Sequence, residues 1–276
     1  MAMLRALALS ALMLVAAAPP LLAERVEAVM ELVRLDEILE VMRVEGIAHG
    51  QEIGDTLLGP GDGAAWTRRV EGIYDPGRMR SVMLGGVERG LPSDAAVLEA
   101  AEAFFASDLG RRVVELEVTA RRAMLDEAVE EVAREAWAEM DAEGGPRVEA
   151  LRRFVEVGDL VEQNVAGGLN STFAFYMGLR DSGTGIPGMG EAEMLDDVRS
   201  QEPAIREEID AWLHSYLALA FGPLSDAELD AYTEFYASPE GRALNGALFV
   251  GFNDMFEAMS RQLGRAAGSL MQGEDL

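Results

Sequence analysis

Apolar positions recur every three to four residues along most of the chain, and strand-like alternation is absent, so the pattern predicts an all-α protein. Val26, Met30, Val33, Glu37, Ile38-Leu39 and Val41-Met42 set a first helical stretch over residues 24–44. Gly46 interrupts it, and the period resumes from Ile47 to Leu58, ahead of a Gly-Pro-Gly-Asp-Gly loop at 59–63. Shorter amphipathic stretches follow at Trp66–Tyr74, closed by Asp75-Pro76-Gly77, and at Arg78–Glu88, closed near Gly90-Leu91-Pro92. Ser93 or Asp94 is placed to cap a helix that reaches Phe105.

From Ser107 onward, Val113, Leu116, Ala120, Met124, Ala128, Val132, Ala136 and Met140 keep helical spacing, which predicts one long helix ending at Gly144-Gly145-Pro146. Glu117–Arg121 and Glu130–Arg134 stand on it as i,i+4 pairs in the favourable order. Helical spacing returns from Val148 to Tyr176, a glycine-rich stretch runs from Gly183 to Gly190, and Pro203 opens a helix to Phe221. Ser225-Asp226-Ala227-Glu228 is a capping box, in which the Ser hydroxyl accepts from the Glu amide and the Glu carboxylate returns to the Ser amide. Ser238-Pro239 then opens the last helix, with Leu244, Leu248, Phe252, Met255, Phe256, Met259 and Leu263 on its apolar face. Beyond Gly264 the chain is expected to fray into an acidic tail, residues 265–276.

The chain also repeats itself. Phe104-Phe105-Ala106-Ser107-Asp108-Leu109-Gly110-Arg111 and Phe235-Tyr236-Ala237-Ser238-Pro239-Glu240-Gly241-Arg242 share the pattern F-[FY]-A-S-x-x-G-R at an offset of 235 − 104 = 131. Upstream, residues 32–40 resemble residues 154–162 at an offset of 154 − 32 = 122. Two landmarks in the same order predict two tandem, related helical-bundle repeats, residues 24–141 and 146–264. The shared motif reads as a structural corner. Ser107 and Ser238 each cap a new helix, the aromatic pair before each Ser packs at the bend as a staple, and Gly110 and Gly241 permit close approach of another backbone. Arg111 and Arg242 are expected to lie across acidic neighbours.

The corner F-[FY]-x-S-P-x-G near the C-terminus follows an acidic S-D-x-E-L helix start, and in a helical chain with an export signal this resembles the bacterial domain-of-unknown-function 2059 family. The match is clearest from Leu224 to Phe256; in the first copy Asp108 stands where the motif has Pro. What the resemblance implies is an exported, helical protein without established catalysis, and it brings no catalytic residue.

The export signal is read from residues 1–23. Arg5 precedes an uncharged apolar run from Ala6 to Ala18, Pro19-Pro20 breaks it, and cleavage is expected after Ala23. The run is shorter than the ~20 residues of a membrane span, so a periplasmic or secreted protein with no stable span after cleavage is expected. The chain has no cysteine, which excludes disulfides and thiol chemistry. All 23 basic residues are arginine against 49 acids, a net charge of −26 that repels nucleic acid and anionic lipid. The pairs Arg68-Arg69, Arg111-Arg112, Arg121-Arg122 and Arg152-Arg153 each sit among acids along the chain.

Candidate chemistry is thin. Glu45, His49 and Glu52 share a helix face, and Asp210–His214 is an i,i+4 pair, yet neither meets the Glu-x-x-His spacing of a bundle metal centre. The acidic, glycine-rich stretch from Asp181 to Glu193 lacks the calcium-loop pattern, with Ala192 where the twelfth-position Glu belongs. No nucleophile elbow or phosphate loop is present, and no acid stands out for a carboxylate-dependent hydrolase. The sequence therefore predicts no cofactor, no metal and no catalytic residue, and a non-catalytic binding or structural role in the envelope with a protein partner. The alternative is a carrier of an apolar ligand held between the two copies, lined by Phe173, Phe175, Tyr176, Phe249, Phe252 and Met255.

Overall fold

The computed structural model describes residues 22–57, 63–92, 95–185 and 189–272. Residues 1–21 of the signal segment, Ser93 and Asp94, most of the 59–63 loop, residues 186–188 and the last four residues lie outside this set. The described chain is helical, with no strand among the described residues. In order the helices are α1 (Leu22–Leu32), α2 (Leu35–Leu57), α3 (Gly63–Ile73), α4 (Pro76–Gly90), α5 (Ala96–Phe105), α6 (Asp108–Ala123) and α7 (Glu127–Glu143). After Gly144 and Gly145, both at positive φ, come α8 (Pro146–Val157), α9 (Leu160–Asp181), α10 (Glu191–Ser200), α11 (Glu202–Phe221), α12 (Asp226–Ala237) and α13 (Pro239–Met271).

Local signals place most helix starts. Asp75 caps α4 through the Arg78 amide (2.9 Å), with Pro76 in the first turn. The Ser225 capping box forms in both directions, the Glu228 amide to Ser225 Oγ at 3.3 Å and the Ser225 amide to Glu228 Oε2 at 2.8 Å. Glu130 and Arg134 pair at 2.8 Å as expected.

Three expectations are corrected by packing. The long helix expected from Ser107 breaks after Ala123: Met124 ends α6, and the Asp126 carboxylate caps α7 through the Ala128 amide at 3.0 Å. The bend turns the apolar face, so Ala133 and Trp137 are buried while Val132 is 64 % exposed. Gly46 does not interrupt α2. The stripe Gly46, Gly50 and Gly54 instead forms a slot in which Tyr74, Val70 and Trp66 lie where Cβ atoms would stand, and Trp66 Nε1 donates to the Gly50 carbonyl (2.8 Å). Nor does the chain fray at Gly264. Helix α13 continues to Met271 with Ala266 and Ala267 buried, and the Gly268 carbonyl accepts from Thr184 Oγ1 at 2.6 Å.

One continuous apolar core joins both ends of the chain, from Val26, Met30 and Leu39 to Phe221, Leu229 and Met255. Helix α13 is its axis and packs against both α4 and α9, while α11 packs against α6 and α7. Backbones touch where α13 crosses its neighbours. A Cβ on Gly264 would stand 2.1 Å from the Phe175 carbonyl oxygen, and one on Gly251 would stand 2.7 Å from the Met83 carbonyl oxygen. Polar links span the same divide: Arg112 of α6 donates to the Pro223 carbonyl (2.7 Å) and pairs with Glu228. No helix of the described residues is long and apolar enough to cross a membrane.

Candidate functional site

The fold brings the two aromatic corners together. At the first, Ser107 Oγ accepts from the Gly110 amide (3.0 Å); at the second, Ser238 Oγ accepts from the Gly241 amide (2.9 Å), with Pro239 in the first turn. Each glycine lies under the end of the preceding helix: a Cβ would stand 2.0 Å from the Phe104 carbonyl oxygen at Gly110 and 2.0 Å from that of Phe235 at Gly241. Arg111 pairs with Asp108 at 2.5 Å, whereas Arg242 is exposed and makes no ion pair among the described residues. Phe104 stacks on Phe235 with centroids 4.1 Å apart and planes 10° from parallel, and Phe105 meets both edge-on. Phe104 and Phe235 each sit in the last turn of their helix, α5 or α12, and the stack joins the two helix ends. A double-mutant cycle of Phe104→Ala and Phe235→Ala by urea unfolding should give a coupling of about 1 kcal/mol. Additive losses would show that the stack carries no energy.

Beside this stack is a polar cluster that spacing alone did not reveal. Tyr232 on α12 donates to Glu117 Oε1 at 2.9 Å, and Tyr216 on α11 donates to the Glu117 carbonyl at 3.2 Å. Burial pushes the Glu117 carboxyl up to about 7, and the Tyr232 bond offsets this in part. The Tyr232 hydroxyl is itself raised well above its ordinary value, first by burial and then by Glu117. The expected Glu117–Arg121 pair does not form. Arg121 instead lies over the Trp212 ring, 4.5 Å from its centroid, and pairs with Glu45 at 2.6 Å. Burial favours the neutral carboxyl, which draws less on a guanidinium, and the Tyr232 hydroxyl supplies its hydrogen bond. These contacts tie α6 to α11 and α12.

Tyr236, the second aromatic of the later corner, packs against Tyr232 (centroids 5.1 Å) and leads to a groove. It is a cavity of about 450 Å³ between α9 and α13, reached also by Met42 of α2. Leu160, Leu248, Phe249, Phe252 and Phe256 make its apolar walls, and Gln163, Asn164, Ser171, Asn245 and Asn253 supply amides and a hydroxyl. Gly167 and Gly168 also line it on the α9 side, and a Cβ on Gly167 would stand 2.6 Å from Asn253 Oδ1. No residue of the lining carries a charge, in a chain with 49 acids and 23 arginines. Of the lining expected from sequence, Phe249 and Phe252 are here. Met255 is wholly buried in the core, Tyr176 donates to Asp197 (2.8 Å), Phe175 lines a smaller cavity near His49, and Phe173 lies outside the groove. The groove lies between α9 and α13, and Met42 of α2 reaches it from residues 24–141. Its trace in the sequence is a pair of uncharged runs, residues 163–179 and 243–253.

A family model described as an uncharacterized protein conserved in bacteria (DUF2059) matches residues 94–139. The match takes in α5, α6 and most of α7, with the first corner, so it lies in the middle of the chain rather than on Leu224–Phe256. No curated protein and no solved structure matches the chain. The matched segment supplies Phe104, Glu117 and Arg121 to the contacts above; the groove is built by residues outside it.

The histidines find ordinary settings. His49 is exposed, 3.8 Å from Glu52, while Glu45 is turned to Arg121. His214 is buried, stacks on Trp137 (4.9 Å) and faces the Asp210 carbonyl at 2.9 Å. Among the described residues no three His, Asp or Glu side chains are placed to hold a metal.

Proposed function

We propose that this is a non-catalytic binding protein of the bacterial envelope, exported by residues 1–23, which holds an apolar small ligand in the α9–α13 groove. The charge-free lining carries the reading: aromatic walls take an apolar body, and the amides of Gln163, Asn164 and Asn253 can orient one polar group on it. The volume is in the range that suits a small molecule. We further read the chain as two copies of one helical unit, residues 24–141 and 146–264. Supporting this, Arg34 and Asp159 both take the left-handed conformation, φ 55 and 52, at the turns from α1 to α2 and from α8 to α9. These turns stand 159 − 34 = 125 residues apart, about one helical turn from the offset of 122 read in the sequence, a slip that preserves the apolar face.

A fluorescent naphthylamine probe added to the purified protein should bind saturably. Ser171→Trp, which fills the groove from its lining, is expected to abolish that binding while leaving the thermal midpoint unchanged. Equal binding by both proteins would remove the groove from consideration.

A further inference from the structure

On the opposite side of α13 from these amides the fold assembles something that the chain order hides. Arg68 and Arg69 on α3, Arg78 on α4 and Arg265 on α13 converge on one cavity of about 500 Å³, completed by Gln262 and by Gly72-Ile73. No acid lines it. In the sequence Arg68-Arg69 stand near Glu71 and Asp75; the packing of α3 and α4 on α13 replaces those neighbours with further arginines.

Acids outnumber arginines by 49 to 23, and arginines elsewhere find them readily. Arg80 takes both Glu27 (2.7 Å) and Asp36 (2.8 Å), and Arg206 takes Glu162 and Glu202. At this cavity the balance is reversed. Arg68 and Arg69 are exposed and make no ion pair among the described residues, and Arg78 donates to the neutral Gln262 Oε1 (2.6 Å). Arg265 shares a single carboxylate, Asp181, with Arg261 (2.7 and 2.8 Å), so one acid faces two guanidinium groups. Gly72 leaves open space, with nothing within 4 Å of where its Cβ would stand.

We propose that Arg68, Arg69, Arg78 and Arg265 form a binding site for a compact phosphate-bearing ligand. Guanidinium forks match the oxygens of a phosphate two at a time, and several forks around one concavity suit a group with more than one negative charge. The net charge of −26 disfavours a long polyanion, whose remaining phosphates would face the acidic surface. The same chemistry is offered by a soluble phosphate ester and by an anionic lipid headgroup.

The test uses the full chain, with inorganic pyrophosphate followed by calorimetry, and vesicles of phosphatidylglycerol or phosphatidylcholine followed by co-sedimentation. R68E/R69E is compared with R199E/R242E, which makes the same charge change at exposed arginines elsewhere. Saturable pyrophosphate binding that weakens about tenfold or more in R68E/R69E alone establishes the site for soluble phosphates. Binding to phosphatidylglycerol but not phosphatidylcholine vesicles, lost in R68E/R69E alone and without pyrophosphate binding, establishes it for a headgroup. Equal loss in both double variants shows a general field effect and overturns the proposal, as does the absence of binding to every probe.

Discussion

Gly264→Ala is expected to destabilise the protein by about 2–4 kcal/mol, although alanine is the better helix former by about 1 kcal/mol. The added methyl would stand 2.1 Å from the Phe175 carbonyl oxygen, and that neighbour is backbone of α9, which can yield only if the whole helix moves. The contact is mutual: a Cβ on Gly178 of α9 would stand 2.2 Å from the Arg261 carbonyl oxygen of α13. Because α13 packs on α4 as well as on α9, it has no free direction in which to retreat. Gly246 on the same helix is the internal control, since nothing lies within 4 Å of its Cβ position. Gly246→Ala should stabilise by about 0.5–1 kcal/mol through helix propensity alone. Urea midpoints of opposite sign for the two variants are the expected result; a Gly264→Ala protein at least as stable as the parent would refute the close crossing.

The second large effect concerns Glu117 and pH. Its carboxyl is held at about 7 in the folded protein, against about 4.3 in an unfolded chain. Between those values the unfolded chain binds fewer protons than the folded one, so this group makes stability fall as pH rises. The cost grows from about pH 4 and is fully present above the folded value. For a half-buried side chain it amounts to about 2 kcal/mol. Glu117→Gln keeps an oxygen for the Tyr232 hydroxyl and removes the titration. The variant should match the parent in unfolding free energy at pH 4 and exceed it by about 2 kcal/mol at pH 8. Parallel stability profiles for the two proteins would show that Glu117 is not the group responsible.

The same residue shows how far spacing can be read. On the helix surface Glu117 and Arg121 satisfy the i,i+4 rule, and Glu130 and Arg134 satisfy it equally well. The second pair forms, at 2.8 Å, and Arg134 also takes Glu208. The first does not, because α11 and α12 supply Tyr232 to the acid and Trp212 to the arginine from about a hundred residues away. Gly46 and Gly264 depart from the helical pattern's prediction for a related reason. A glycine in a helical pattern is ambiguous by itself, since a break and a close helix crossing use the same residue, and what distinguishes them is the partner. The groove was half legible: Phe249 and Phe252 line it, while Met255, one turn on, rotates into the core.

The all-α class, most helix starts and the two serine-capped corners were written in the amino-acid order, because periodicity and capping act within one or two turns of backbone. Where those pieces meet was settled only on assembly. Phe104 finds Phe235, Tyr232 finds Glu117, and four arginines from three helices share a cavity, because α13 packs at once on α4 and α9 and draws both ends of the chain into one core. Such encounters depend on helix crossings set by the summed shape of many side chains, and no local stretch of the chain contains that sum.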